Sequence, residues 1–175
     1  MAVTSLWARN VRVEQVIDYV RNPDKVTDSA AEQIAALHEI DGVIEYATDE
    51  LKTEKRAYVS CINCTSEELA AAEFLETKVY WENTLGTDKT TGRLCYHGYQ
   101  AFKPGEVDAE TAHSIGVALA EELWGGRFQV VVATHLNTDH IHNHFVINSV
   151  SDLDGKKFHS GAKDLVLLRE TSDRL

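Results

Sequence analysis

Two apolar runs rich in β-branched residues, FQVVVATH (128–135) and IHNHFVINSV (141–150), lie only five residues apart in the chain. Strands joined by so short a link pair antiparallel, because a parallel return needs a crossover of about a dozen residues. The same stretch holds four of the eight histidines of the chain, His135, His140, His142 and His144. If Leu136 and Ile141 close the loop Asn137-Thr138-Asp139-His140, His135 falls opposite His142, and opposed residues share a face. His144 lies two residues beyond His142 and takes that face too, while Ile141, Phe145 and Ile147 point the other way. His140 stays in the loop. Three neutral imidazoles with an open position make up a catalytic divalent-metal site. A solvent-facing polar strand would show the same H-x-H alternation, and that reading stays open. The hairpin offers no carboxylate as a fourth ligand, which disfavours a two-histidine, one-carboxylate iron centre. No HExxH helix is present to make a zinc protease. Asp139, in the loop, is either an outer acceptor for a histidine N–H or an ordinary turn residue.

The rest of the chain constrains what such a hairpin belongs to. At 175 residues and 43% hydrophobic content, it suits one domain with a proper core. It has no apolar run of about 18 residues, so no membrane insertion is expected. The N-terminus lacks the build of a signal peptide, and three cysteines fit a reducing cytoplasm. The pair in CINC (Cys61, Cys64) has no second CxxC to complete a zinc knuckle and reads as core thiols on a buried strand. A net charge of −11 argues against broad coating of nucleic acid. It permits local basic patches, for which Lys52, Lys55 and Arg56, then Lys156, Lys157 and His159, are the candidates. The closing amphipathic segment AKDLVLLRETSDRL lacks a C-cap glycine or polar tail, so the chain is expected to be the N-terminal part of a longer protein.

Periodicity predicts a strand at 3–9, a helix at 13–22 ended by Pro23, and a second helix at 29–37 followed by a turn at Asp41-Gly42. A strand at 57–63 follows, then a helix opened by a Thr65/Glu68 capping box and running to Asn83. A strand at 94–102, a helix from the Asp108 cap to Trp124, the two hairpin strands and a terminal helix complete the order. The expected class is α+β: a two-layer sandwich with a largely antiparallel five-stranded sheet and helices packed on it. VIDYVRNPDK (16–25) and VIEYATDELK (43–52) form an ungapped internal repeat, each with a tyrosine six residues before a lysine.

His135-x3-Asp139-x2-His142-x-His144, followed by hydrophobic residues and Asn148, resembles the three-histidine signature of the HUH endonucleases. More closely, the chain resembles the relaxase or mobilisation nucleases of conjugative plasmids and integrative elements, of the MOB-P type. The segments LWAR, VIDYVRNPDK, YVSCINC, YHGYQAFKPGE, AHSIGVALAEELWG and VVVATH carry the likeness over essentially the whole chain. It implies metal-dependent, site- and strand-specific nicking and rejoining of single-stranded DNA at a transfer origin. The route is a covalent 5′-phosphotyrosyl intermediate. The resemblance assigns His135, His142 and His144 to a divalent metal (Mn²⁺, Mg²⁺ or Zn²⁺). By position after the first strand and helix, Tyr19 matches the family nucleophile. Tyr46, at the family's usual distance from the NC strand, is the alternative or a second nucleophile. Asn137 stands where many relatives carry Asp, which leaves Asp139 as the candidate catalytic carboxylate. His97 and Gln100 either reach the site or the DNA, or pack the strand, which is the role expected first. Implied partners are single-stranded or hairpin DNA at the origin, accessory relaxosome proteins and a coupling protein. The implied location is the bacterial cytoplasm, with possible transfer alongside the DNA. The competing readings are a rolling-circle replication initiator, a catalytically idle DNA- or metal-binding module, and a small-molecule metallohydrolase.

Overall fold

A computed structural model of the chain describes residues 2–10, 28–54, 57–90, 92–138 and 140–175. Its strands are β1 (Val3–Asn10), β2 (Val59–Ile62), β3 (Arg93–Ala101), β4 (Val130–His135) and β5 (His142–Asn148). They form one sheet in the order β1-β3-β5-β4-β2, and every neighbouring pair is antiparallel. The described helices are α1 (Asp28–Thr48), α2 (Glu67–Leu85), α3 (Ala109–Ala120), which continues into a π-helical turn (Glu121–Gly125), and α4 (Ala162–Arg174). The α+β class and the antiparallel five-stranded sheet stand as expected. The helices occupy both faces, however, so the sheet is a middle layer rather than one of two.

Two cores follow from the alternation of the strands. On one face Cys95, Val131, Ala133 and Val146 pack against Ala36, Ile40, Ile44 and Ala47 of α1 and Ala70, Ala71 and Phe74 of α2. On the other, Tyr96, Val130, Val132, Phe145 and Ile147 meet Leu119 and Ala120 of α3, Trp124 and Leu168 of α4. None of the described helices is long and apolar enough to cross a membrane.

Local signals failed where tertiary packing outweighed them. The turn expected at Asp41-Gly42 does not form, and α1 runs through it to Thr48. Glycine inside a helix costs about 1 kcal/mol. Ile40, Ile44 and Ala47, each at most 2% exposed, more than offset that by burying one stripe. The Thr65/Glu68 capping box is also absent. Ser66 is the N-cap of α2 and makes no side-chain cap bond, while the Thr65 N–H donates to the Glu73 carboxylate at 2.9 Å. Asp108 does cap α3, accepting from the Thr111 N–H at 2.8 Å. The helix expected at 13–22 lies outside the described residues.

Beneath the hairpin, on the α3 and α4 face, runs a buried polar belt. Ser60 Oγ meets His113 Nε2 (2.8 Å), and His113 Nδ1 meets Thr134 Oγ1 (2.8 Å). Thr134 then donates to Asn143 Oδ1 (2.6 Å). The Asn143 amide donates to Gln100 Oε1 and Ala112 O, and the Gln100 amide to Ser172 Oγ. Thr134 precedes one cluster histidine and Asn143 separates the other two, so the belt fixes the strands that carry them. Gly116 makes room for it: a Cβ there would lie 2.5 Å from Asn143 Nδ2. Gly116→Ala is therefore expected to destabilise the fold by about 2–3 kcal/mol in urea unfolding, because the locked amide cannot move aside.

Lys78 is the other buried polar device. It is 0% exposed, and its ammonium donates to Asn148 Oδ1 and to Ser149 Oγ. Burial pushes its pKa down from 10.5 to about 7. A depressed cation costs stability fully below the folded value, and the cost fades as pH rises toward the unfolded value. Between pH 7 and 9 the wild type is thus expected to gain stability relative to Lys78→Met, as read by urea midpoints at each pH.

Candidate active site

The hairpin has the register read from the sequence: His135 opposes His142, and Ala133 opposes His144. Three nitrogens, one each from His135, His142 and His144, lie within 4.8 Å of one another. Among the described residues this is the one cluster able to hold a metal ion. His140 is exposed and outside it. Among the described residues the CINC thiols join no metal-binding cluster: Cys61 and Cys64 are half-buried, Cys95 is buried, and none of the three forms a disulfide.

Hydrogen bonds outside the cluster decide which lone pairs face inward. His135 Nε2 donates to the Ala47 carbonyl at 2.6 Å, which leaves its Nδ1 as acceptor. His142 Nδ1 donates to the His140 carbonyl at 2.9 Å, leaving Nε2. His144 Nδ1 is 2.8 Å from His97 Nε2, and His144 Nε2 is a buried atom with no hydrogen-bond partner. An orphaned imidazole nitrogen in a core is costly, about 1–3 kcal/mol, and a metal ion relieves that cost. Burial holds His135 down to about pKa 4 and His144 to about 2, with the neighbouring imidazoles adding to both shifts. Both are therefore neutral ligands at physiological pH, with no proton to displace. The donor set fits a divalent cation of borderline softness.

Helix α1 delivers the next components. Its C-terminal carbonyl end, where the helix dipole is negative, is the end bonded to His135, an orientation that favours a cation. One residue earlier, Tyr46 sets its ring against the histidines, with centroid distances of 5.9 Å to His144, 6.1 Å to His97 and 6.3 Å to His135. It remains 53% exposed, so the same ring is open to a bound strand. The turn after α1 then folds back. Asp49 O accepts from the N–H groups of Lys52 and Thr53, and Lys52 O accepts from Leu136 N–H at 2.8 Å. This brings Lys52 Nζ to 4.1 Å above the Tyr46 ring centroid and 3.8 Å from the Asp49 carboxylate.

Of the residues singled out in the sequence, the structure thus gathers His135, His142, His144, Tyr46 and Lys52. Tyr19, Lys55, Arg56 and Asp139 lie outside the described residues. Lys156, Lys157 and His159 are elsewhere: with Lys89, Arg127 and Phe158 they line a groove of about 580 Å³. That groove borders Phe128, just before β4, whereas His135 ends β4, a separation of roughly 20 Å along the strand. Gln100 belongs to the polar belt on the opposite face. His97, left undecided by the sequence, is 1% exposed and touches the cluster directly.

The family model described as relaxase, MobA/VirD2-like, nuclease domain matches residues 46–175. The chain is 38% identical to Protein rlx of Staphylococcus aureus over 123 residues, covering 70% of this chain and 35% of that protein. It is 30% identical over 167 residues to the group II intron-interrupted relaxase LtrB of Lactococcus lactis subsp. cremoris, covering 83% of this chain and 29% of LtrB. Protein TraI of Escherichia coli is 35% identical over 112 residues, 62% of this chain and 14% of TraI. The chain spans about a third of the length of the first two of these relatives. Because the family match takes in every described element from the last turn of α1 onward, the chain belongs to the MobA/VirD2-like relaxase nuclease-domain family.

Proposed function

We propose that the chain nicks single-stranded DNA at a defined site and keeps one end covalently attached through Tyr46, ready for rejoining at the end of a transfer event. The observation that carries this reading is the exposed Tyr46 ring standing edge-on against His144 and His135. In the reaction the Tyr46 oxygen forms a bond to the scissile phosphorus and the bond from phosphorus to the 3′ oxygen breaks. The phenolic proton passes to a base, and the departing 3′ oxygen takes one up. The products are a 5′-phosphotyrosine and a free 3′-OH. Because one phosphodiester replaces another, the bond energy is kept and the strand can be resealed. A divalent ion held by His135, His142 and His144 would neutralise charge on the non-bridging phosphate oxygens and orient the phosphate.

The protein's own groups do the remaining work. Lys52, fixed over the Tyr46 ring, supplies a cation to the phosphate flanking the attack. The half-exposed Tyr46 ring at the end of α1 presents its free side to the strand. Asp139, in the loop between β4 and β5, is the proposed proton acceptor or outer-shell carboxylate. Lys55 and Arg56 extend the basic tract after Lys52, and Lys156, Lys157 and His159 take a more distant DNA segment in their groove. Accessory relaxosome proteins and a coupling protein complete the proposed set of partners. Between the two tyrosines of the repeat, the ring contacts of Tyr46 and the family match that begins at that residue favour it over Tyr19.

The test uses end-labelled single strands tiling the DNA that flanks the chain's own gene, incubated with the protein and Mn²⁺ or Mg²⁺. A protein–DNA adduct that survives denaturation and disappears with EDTA is expected on one strand only. DNA binding without any adduct would overturn the proposal in favour of an idle binding module.

A further inference from the structure

The most informative group still without a role is His97, which the sequence left between reaching the site and packing the strand. It sits on β3 opposite Val146 of β5, two residue pairs away from the Tyr99–His144 pair, on the face that carries the triad. Its Nε2 is 2.8 Å from His144 Nδ1, with ring centroids 5.0 Å apart. Trp7, its partner on β1, packs against it with rings tilted at 56° and centroids 4.9 Å apart, and Tyr46 closes another side at 6.1 Å. A ring so enclosed cannot swing away, so the contact to His144 is a fixed one.

That contact carries a single shared proton, and its position decides what His144 can do. If His97 donated it, His144 would hold its own proton on Nε2, pointing a buried N–H into the cluster where a ligand lone pair is needed. If His97 accepts it, His144 is the Nδ1–H tautomer, and Nε2 turns a lone pair toward His135 and His142. Only the second state assembles three acceptors at one point. We infer that His97 is a positioning residue that accepts the Nδ1 proton of His144, fixing both tautomer and ring orientation of this buried metal ligand. Outer-shell acceptors for metal-bound imidazoles are usually carboxylates, carbonyls or water. Here a neutral imidazole takes the role, which stiffens the ligand without adding negative charge to the site. The inference rests on reading the triad as the metal site.

The test compares wild type with His97→Gln, His97→Phe and His144→Ala in the 175-residue chain. Long-range ¹H–¹⁵N NMR of the metal-free protein reads the imidazole tautomers, and calorimetric titration with Mn²⁺ reads affinity. His144 is expected as the Nδ1–H tautomer in wild type and in His97→Gln, whose side-chain carbonyl accepts the same proton. In His97→Phe it is expected to mix tautomers. Mn²⁺ affinity should fall about 10–100-fold in His97→Phe and return to within about threefold of wild type in His97→Gln. An Nε2–H tautomer for His144 in wild type, or unchanged affinity in a folded His97→Phe, would overturn the inference. Should His97→Phe fail to fold, equal weakening by His97→Gln and His144→Ala would overturn it as well. Unchanged Mn²⁺ binding in His144→Ala would instead refute the metal reading of the triad, and the wild-type tautomer would still decide the role of His97.

Discussion

Tyr46→Phe is expected to abolish the covalent DNA adduct, reducing nicking by at least about 10³-fold, while leaving fold and metal affinity intact. The substitution removes one oxygen and keeps the ring that meets His135, His144 and Lys52. Because that ring is half exposed, the hydroxyl supports little of the core, and stability should change by no more than about 0.5 kcal/mol. Tyr19→Phe, in the other copy of the repeat, is expected to keep forming the adduct. A pair of results in the opposite sense, with Tyr19→Phe inactive and Tyr46→Phe active, would transfer the nucleophile to the first copy. Loss in both would mean that each tyrosine serves one cleavage.

The second large effect is expected from the ligands. His144→Ala should weaken Mn²⁺ binding by more than about 100-fold and suppress adduct formation to the level seen with a chelator. Without metal the variant is expected to lose about 2–4 kcal/mol, because the ring leaves a cavity and takes away the hydrogen bond to buried His97 Nε2, offset in part by removal of the orphaned His144 Nε2. It is also expected to lack the stabilisation that Mn²⁺ gives wild type. His140→Ala is the matched control. Its ring is exposed and outside the cluster, and the group it lends to His142 is its backbone carbonyl, which alanine retains. Wild-type binding in His144→Ala, or loss in His140→Ala, would contradict the assignment.

The hairpin was legible because its information is local. A short loop fixes antiparallel pairing, and a period of two then fixes which histidines share a face, so His135, His142 and His144 could be set together before any fold was known. His97 was not legible for the opposite reason. It meets His144 only because β3 lies beside β5, a pairing that spans the whole of α3 and β4 and that no local pattern announces. Gln100, on the same strand but of opposite parity, ends in the belt instead. The unbroken course of α1 was hidden by Gly42, whose local preference for a turn is overridden by Ile40 and Ile44 packing on the sheet. That error mattered, because the end of α1 is what carries Tyr46 to the histidines. The basic residues at 156, 157 and 159 were found as a group, but their distance from the triad depends on which end of β4 they adjoin.

The central claim is that the DNA end is carried by the tyrosine beside the triad, and peptide mapping of the adduct tests it most directly. Trypsin places Tyr46 in the peptide of residues 26–52 and Tyr19 in that of residues 13–21. After trapping with a cleavable oligonucleotide and Mn²⁺, mass spectrometry should find the phosphonucleotide on Tyr46 within residues 26–52. Recovery of the modified residue only within 13–21 would contradict the account.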